Sequence, residues 1–148
     1  MSHTFAHHRL RAVAVLALLL AAAAPARAQS GSDEALDRVG RALQSGDAGD
    51  VLADAGARVE LVLFGDGGMY RKGQATHVLR DFFRRYPPER VVFGERSTSD
   101  DGRTVVGRYW TRDGGTPLGV RVVHRSEGGL WRLVAVRIDR PSTVRSGR

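Results

Sequence analysis

Ala75, Val78, Leu79, Phe82, Phe83 and Tyr86 recur at three- and four-residue intervals within QATHVLRDFFRRYPPERVVF, the stretch from Gln74 to Phe93. That spacing stacks them on one face of a helix. Thr76, His77, Arg80, Asp81, Arg84 and Arg85 fall on the opposite face. The adjacent phenylalanines are therefore core residues. Asp81 is placed to pair with Arg85 one turn on, the two arginines suit the negative end of the helix dipole, and Pro87-Pro88 stops the helix. The segment reads as the central helix of a fold, not as a site.

Upstream, Ser32-Asp33-Glu34 is a helix start with acids in the first turn, Leu36, Val39 and Leu43 follow at helical spacing, and Gly46 ends the element. A second short helix is expected from Ala48 to Ala55. Arg58 to Phe64 is rich in strand formers, and Asp66-Gly67-Gly68 is expected to turn the chain toward a short extended piece at Met69 and Tyr70. Four strand-like runs come after the central helix: Arg90 to Thr98, Arg103 to Thr111, Pro117 to Ser126 and Leu130 to Arg140. Turn signals at Asp100-Asp101-Gly102, Asp113-Gly114-Gly115 and Glu127-Gly128-Gly129 separate them, which predicts an antiparallel meander. The fold class is α+β: a curved antiparallel sheet, one strand and then a four-stranded meander, wrapped around a long helix and covered by the N-terminal helices.

The first eleven residues, MSHTFAHHRLR, are basic and carry no acid, Ala12 to Ala24 is wholly apolar, and Ala26-Arg27-Ala28 is a small-x-small cleavage site. These features predict a signal peptide over residues 1–28. The apolar run of 13 residues is short of the ~20 that span a bilayer, so no membrane span is expected after cleavage. Residues 29–41 are read as a leader and the start of the first helix, 42–140 as the folded domain, and 141–148 as a solvated tail. Loss of Arg9, Arg11 and Arg27 with the signal lowers the formal charge from +7 to +4. The remaining basic residues are interspersed with acids, which disfavours a nucleic-acid partner. The chain has no cysteine, so disulfides, thiol chemistry, cysteine-ligated zinc and a lipidated cysteine are all absent. The expected location is the bacterial periplasm or the medium.

The runs RVELVLFGDGGMYRKGQATHVLRDFF, VVGRYWTRDGGTPLGV and LWRLVAVRID resemble the nuclear transport factor two-like, cystatin-like superfamily, in which a bent sheet wraps a helix to form a cone. More narrowly, the chain resembles a family of small exported bacterial proteins known as a domain of unknown function, DUF4783. The resemblance implies a fold more than an activity, because the superfamily holds isomerases, dehydratases, hydrolases and non-enzymatic binding modules on one scaffold.

Strand parity sorts the meander. If Phe93, Val120, Val122, Trp131 and Leu133 face the helix, Glu95, Tyr109 and His124 face it too. A carboxylate or histidine beside a tyrosine inside such a cone can transfer protons, because burial moves its pKa toward working pH. Glu95 and His124 are thus candidate acid and base, with Tyr109 as hydrogen-bond donor. The opposite parity collects Arg96, Arg108, Arg121, Arg125 and Arg132 around Val106, Trp110, Val123 and Val134. A bulge near Ala135 is needed to return Val136 and Ile138 to the core with Arg137 outside. The outer set is the candidate binding surface for a protein, an anionic ligand or a second copy of the chain. His77 is isolated, so neither a metal site nor a cofactor is implied. Two readings follow: a non-enzymatic module that binds a ligand or a protein, or a cofactor-free isomerase, dehydratase or hydrolase working inside the cone.

Overall fold

The computed structural model describes residues 24–99 and 102–141. Most of the expected signal peptide, Asp100 and Asp101 of the first meander turn, and the tail from Ser142 lie outside the described residues. In chain order the elements are α1 (Ala24–Ser45), α2 (Ala48–Val51), β1 (Ala55–Leu63), β2 (Asp66–Arg71), α3 (Lys72–Arg85), β3 (Pro88–Thr98), β4 (Gly102–Thr111), β5 (Leu118–Glu127) and β6 (Leu130–Asp139).

Helix α1 does not open at Ser32. Its backbone is helical from Ala24, so Gln29 to Ser32, expected as a leader, belongs to the helix. Ala24, Ala26 and Ala28 have high helix propensity, and Asp33 reaches across to the sheet arginines Arg96 and Arg103 rather than marking a first turn. Helix α2 is a single turn, shorter than expected: the Asp47 carboxylate accepts from the Asp50 amide at 3.0 Å, Leu52 closes the turn, and β1 has begun by Ala55. In α3, Ala75, Leu79, Phe82 and Phe83 are buried on the expected face. Asp81 pairs with Arg84 and not with Arg85; residues three and four apart are both neighbours on a helix, and Arg85 instead lines a groove with Phe64 and Tyr86.

The strands form one curved, unclosed sheet in the order β2-β1-β6-β5-β4-β3. The meander β3 to β6 is antiparallel throughout. Strand β1, however, lies parallel to β6, so the sheet is mixed rather than wholly antiparallel, and β2 adds a sixth strand at its edge. Helix α1 rests on β3 and β6, and α3 rests on β1 and β2. Between them Leu36, Val39, Leu43, Val59, Leu61, Leu79, Val122, Leu133 and Val136 make a continuous core.

Three local irregularities place the remaining side chains. Between Val123 and His124 the β5–β6 register slips, Ala135 facing Val123 and Leu133 facing His124. This is the bulge expected near Ala135, and it buries Val136 and Ile138 while leaving Arg137 exposed. A second slip, in β3, was not foreseen: Phe93 faces Gly107 and Arg96 faces Val105, so Gly94 and Glu95 together oppose Val106. The third irregularity is the β1–β2 turn. Leu63 pairs with Asp66, so the loop is Phe64-Gly65, at φ 56° and 87°, and not Asp66-Gly67-Gly68. Two successive positive φ values make a type I′ hairpin turn. Gly67 lies within β2, where a Cβ would stand 2.0 Å from the Leu61 carbonyl oxygen.

Candidate functional site

The interior does not bring Glu95, Tyr109 and His124 together. Tyr109 and His124 do face the core, and both are fully buried. Tyr109 pairs with Leu118, six residues from His124 along β5, a separation of about 20 Å at ~3.3 Å per residue. Glu95 is on the other face: the β3 bulge turns it outward, where it is exposed beside Val106, Arg108 and Trp110. Strand parity carries across β3 only as far as Phe93, where the register shifts.

Tyr109 is built into the aromatic packing. Its ring lies 5.7 Å from Phe82 and stacks at 6.5 Å on Phe83, and its hydroxyl donates to the Tyr86 carbonyl at 2.5 Å. Burial raises its pKa well above the ordinary phenol value. His124 lies on β5 between Arg103 of β4 and Leu133 of β6. Both ring nitrogens are buried without a hydrogen-bond partner, and burial lowers its pKa to about 4. The nearby Asp54 carboxylate pulls that pKa up and the Arg38 guanidinium pushes it down. Those two groups pair with each other at 2.5 Å, which limits what either can do to the imidazole. His124 is therefore neutral at neutral pH. Among the described residues no group of three His, Asp or Glu side chains could hold a metal ion.

The outer face loses one of its expected members. Arg96 lies on the α1 side of the sheet, within 3.5 Å of Asp33 and 3.9 Å of Asp37. Arg103 joins it at 3.6 Å from Asp33 and stacks over Trp131 at 5.7 Å. These two arginines clamp the first half of α1 to the sheet. On the convex face, exposed Arg108 and Arg121 accompany Val92, which is 46 % exposed, whereas exposed Arg125 stands further along β5, opposite Gly102. Trp110 is half-buried there rather than bare, under the Arg90 guanidinium at 4.1 Å. A groove of about 360 Å³ runs between Val92, Glu95, Arg108 and Trp110, and another of about 350 Å³ lies between Arg121, Arg137 and Arg140.

A third depression, of about 310 Å³, lies between the β1–β2 turn and α3, walled by Leu63, Phe64, Val78, Phe82 and Tyr86 with Asp81 and Arg85. Phe64 takes the left-handed conformation, which costs a residue with a Cβ about 1–2 kcal/mol. Three contacts hold it there. Its amide donates to the Ile138 carbonyl at 2.8 Å, the next amide, of Gly65, donates to the Asp139 carboxylate at 2.9 Å, and its ring lies 5.0 Å from Tyr86 and 5.9 Å from Phe82. The Arg140 guanidinium covers the Phe64 ring at 4.7 Å. The sequence signal for this site is Phe-Gly between two strand-like runs, where Asn-Gly is the usual pair.

This architecture, a bent sheet with helices on its concave side, is that of the NTF2-like and cystatin-like proteins. A structure of an NTF2-like protein of unknown function from Pseudomonas putida superposes with a TM-score of 0.61 at 14% identity, covering 83% of this chain and 93% of that one. A protein of unknown function with a cystatin-like fold from Nostoc punctiforme gives a TM-score of 0.59 at 16% identity, over 78% and 92% of the two chains. The chain belongs to the family described as Domain of unknown function (DUF4783), whose profile matches residues 36–139. A DUF4783 protein from Bacteroides ovatus is similar at 21% identity and a TM-score of 0.65, over 71% of this chain and 94% of that one. No curated protein matches the chain.

Proposed function

We propose that the chain is an exported, non-enzymatic binding module that docks an acidic protein surface on the convex face of its sheet. The observation that carries this reading is the arrangement of exposed Arg108 and Arg121 beside apolar Val92 and the half-buried Trp110. Arginine and tryptophan are the side chains that most often dominate binding energy at interfaces, and a guanidinium can grip a carboxylate through two hydrogen bonds. A second copy of the same face would oppose arginine to arginine, which favours a partner of opposite charge. Export is supported by the basic start, the apolar run and the Ala26-Arg27-Ala28 site. No helix of the described residues is long and apolar enough to cross a membrane. The enzyme reading draws no support from a tyrosine committed to a backbone carbonyl, a histidine about 20 Å away along β5, and a carboxylate on the far face of the sheet.

The test is a photo-crosslinking residue placed at Trp110, with the exposed His77 on α3 as control, in the chain expressed in its own bacterium. A single adduct from position 110, absent from position 77 and lost with Arg121→Glu, is expected. Equal adducts from both positions, or none, would overturn the proposal. An adduct whose mass is twice that of the chain would replace the acidic partner by a second copy.

A further inference from the structure

We infer that the groove between the β1–β2 turn and α3 is a small-molecule site for a flat, apolar carboxylic acid. This rests on different residues from the convex-face reading and stands or falls separately. The apolar part is built on one cluster of three aromatic rings. Phe64, Phe82 and Tyr86 meet at centroid distances of 5.0–5.9 Å, and half-buried Val78 and Leu63 complete the walls. A volume of about 310 Å³ falls at the lower end for ligand pockets and suits one or two fused rings.

Charge selects the acid. Two charged side chains line the groove, Asp81 and Arg85. The Asp81 carboxylate is already paired with Arg84, which leaves the Arg85 guanidinium to recognise an anion. It stands in the last turn of α3, at the edge of the groove, so a ring lying against the aromatic cluster can present its carboxylate there. Arg140, stacked on Phe64, adds a second positive charge to the same ring.

Phe64 supplies the second, independent indication. A bulky aromatic residue at the first position of a type I′ turn goes against the rule for such turns, and local strain of this kind concentrates at ligand clamps. The left-handed conformation throws the ring over α3, against Phe82 and Tyr86. Besides those rings, Ile138, Asp139 and Arg140 at the end of β6 hold it there. The Phe64 wall of the groove is thereby preformed, which lowers the ordering cost of binding.

The experiment is a titration of the isotope-labelled chain with 2-naphthoate, and in parallel with neutral 2-naphthamide, following the backbone amides of Phe64, Val78 and Tyr86. Saturable shifts confined to this region are expected, with 2-naphthamide weaker by about tenfold, as loss of a charge-assisted pair implies. Arg85→Gln, an exposed substitution that leaves the core untouched, is expected to weaken naphthoate by about the same factor. Val78→Trp fills the groove and is expected to abolish binding. Trp110→Ala, on the other face, is expected to change nothing. Absence of shifts, equal affinity for acid and amide, or indifference to Arg85→Gln would overturn the inference; each reads out whether or not Val78→Trp folds.

Discussion

Replacing His124 by leucine should remove a loss of stability that sets in as the pH falls below neutral. The imidazole is wholly buried, neither nitrogen has a partner, and its folded pKa is lowered to about 4 from the ordinary 6.5. The groups that face it oppose one another, Asp54 raising the pKa and Arg38 lowering it, so desolvation decides the direction. As pH falls below the unfolded pKa, the unfolded chain takes up a proton that the folded chain refuses, and stability falls with pH. Linkage over that interval makes the loss about 2 kcal/mol at pH ~5 and about 3 kcal/mol at pH ~4, where it levels off. Above pH ~7 both states are neutral and the histidine contributes no pH dependence. There His124→Leu should be more stable than the parent by about 1 kcal/mol, since it removes two unpaired buried polar atoms. Urea unfolding of both proteins between about pH 4 and pH 7 measures the difference directly. Every pH-dependent contribution other than that of His124 is common to the two proteins and cancels in the difference. A difference that stays constant across the interval, or an imidazole that titrates in the folded protein near its ordinary value, would refute the reasoning.

The remaining predictions concern the aromatic packing and the two turns of chain around it. Tyr109→Phe removes the hydroxyl that donates to the Tyr86 carbonyl at 2.5 Å and should cost about 1–2 kcal/mol in urea unfolding, with the spectrum of the core unchanged. Gly107→Ala would bring a Cβ within 2.3 Å of the Val92 carbonyl oxygen and 2.9 Å of the Phe93 Cα. Because both obstacles are backbone, the strands must part, and a loss of about 3 kcal/mol is expected, seen as a Tm lower by about 10 °C. Phe64→Asn exchanges ring contacts for a residue that tolerates the left-handed conformation, so stability should change by less than about 1 kcal/mol. Naphthoate binding should be lost all the same; a stability loss of about 3 kcal/mol instead would identify Phe64 as a core residue and not a ligand clamp.

How far each feature could be read from the chain depended on whether apolar residues marked the parity. Helix α3 was legible because Ala75, Leu79, Phe82 and Phe83 keep one period without interruption. Strands β4 and β5 were legible because Tyr109, Val120, Val122 and His124 lie in unbroken alternation, and all four are buried. The β6 bulge was legible for a related reason: Leu133, Val136 and Ile138 cannot all face the core unless one residue is extra. The β3 bulge left no such trace. Gly94-Glu95-Arg96 contains no apolar side chain whose burial would betray a change of face, so Glu95 and Arg96 were assigned to each other's sides. The β1–β2 turn was missed because Asp66-Gly67-Gly68 has better turn chemistry than Phe64-Gly65, whereas the pairing of Leu63 with Asp66 puts those glycines in the strand. There Gly67 is required by close approach to Leu61 rather than by a turn. A sequence that spends its favourable turn residues inside a strand and sets a phenylalanine at the bend contradicts local preference at one point. Such contradictions persist where another demand outweighs them, and here that demand is met by the contacts Phe64 makes with the end of β6 and with the rings of Phe82 and Tyr86.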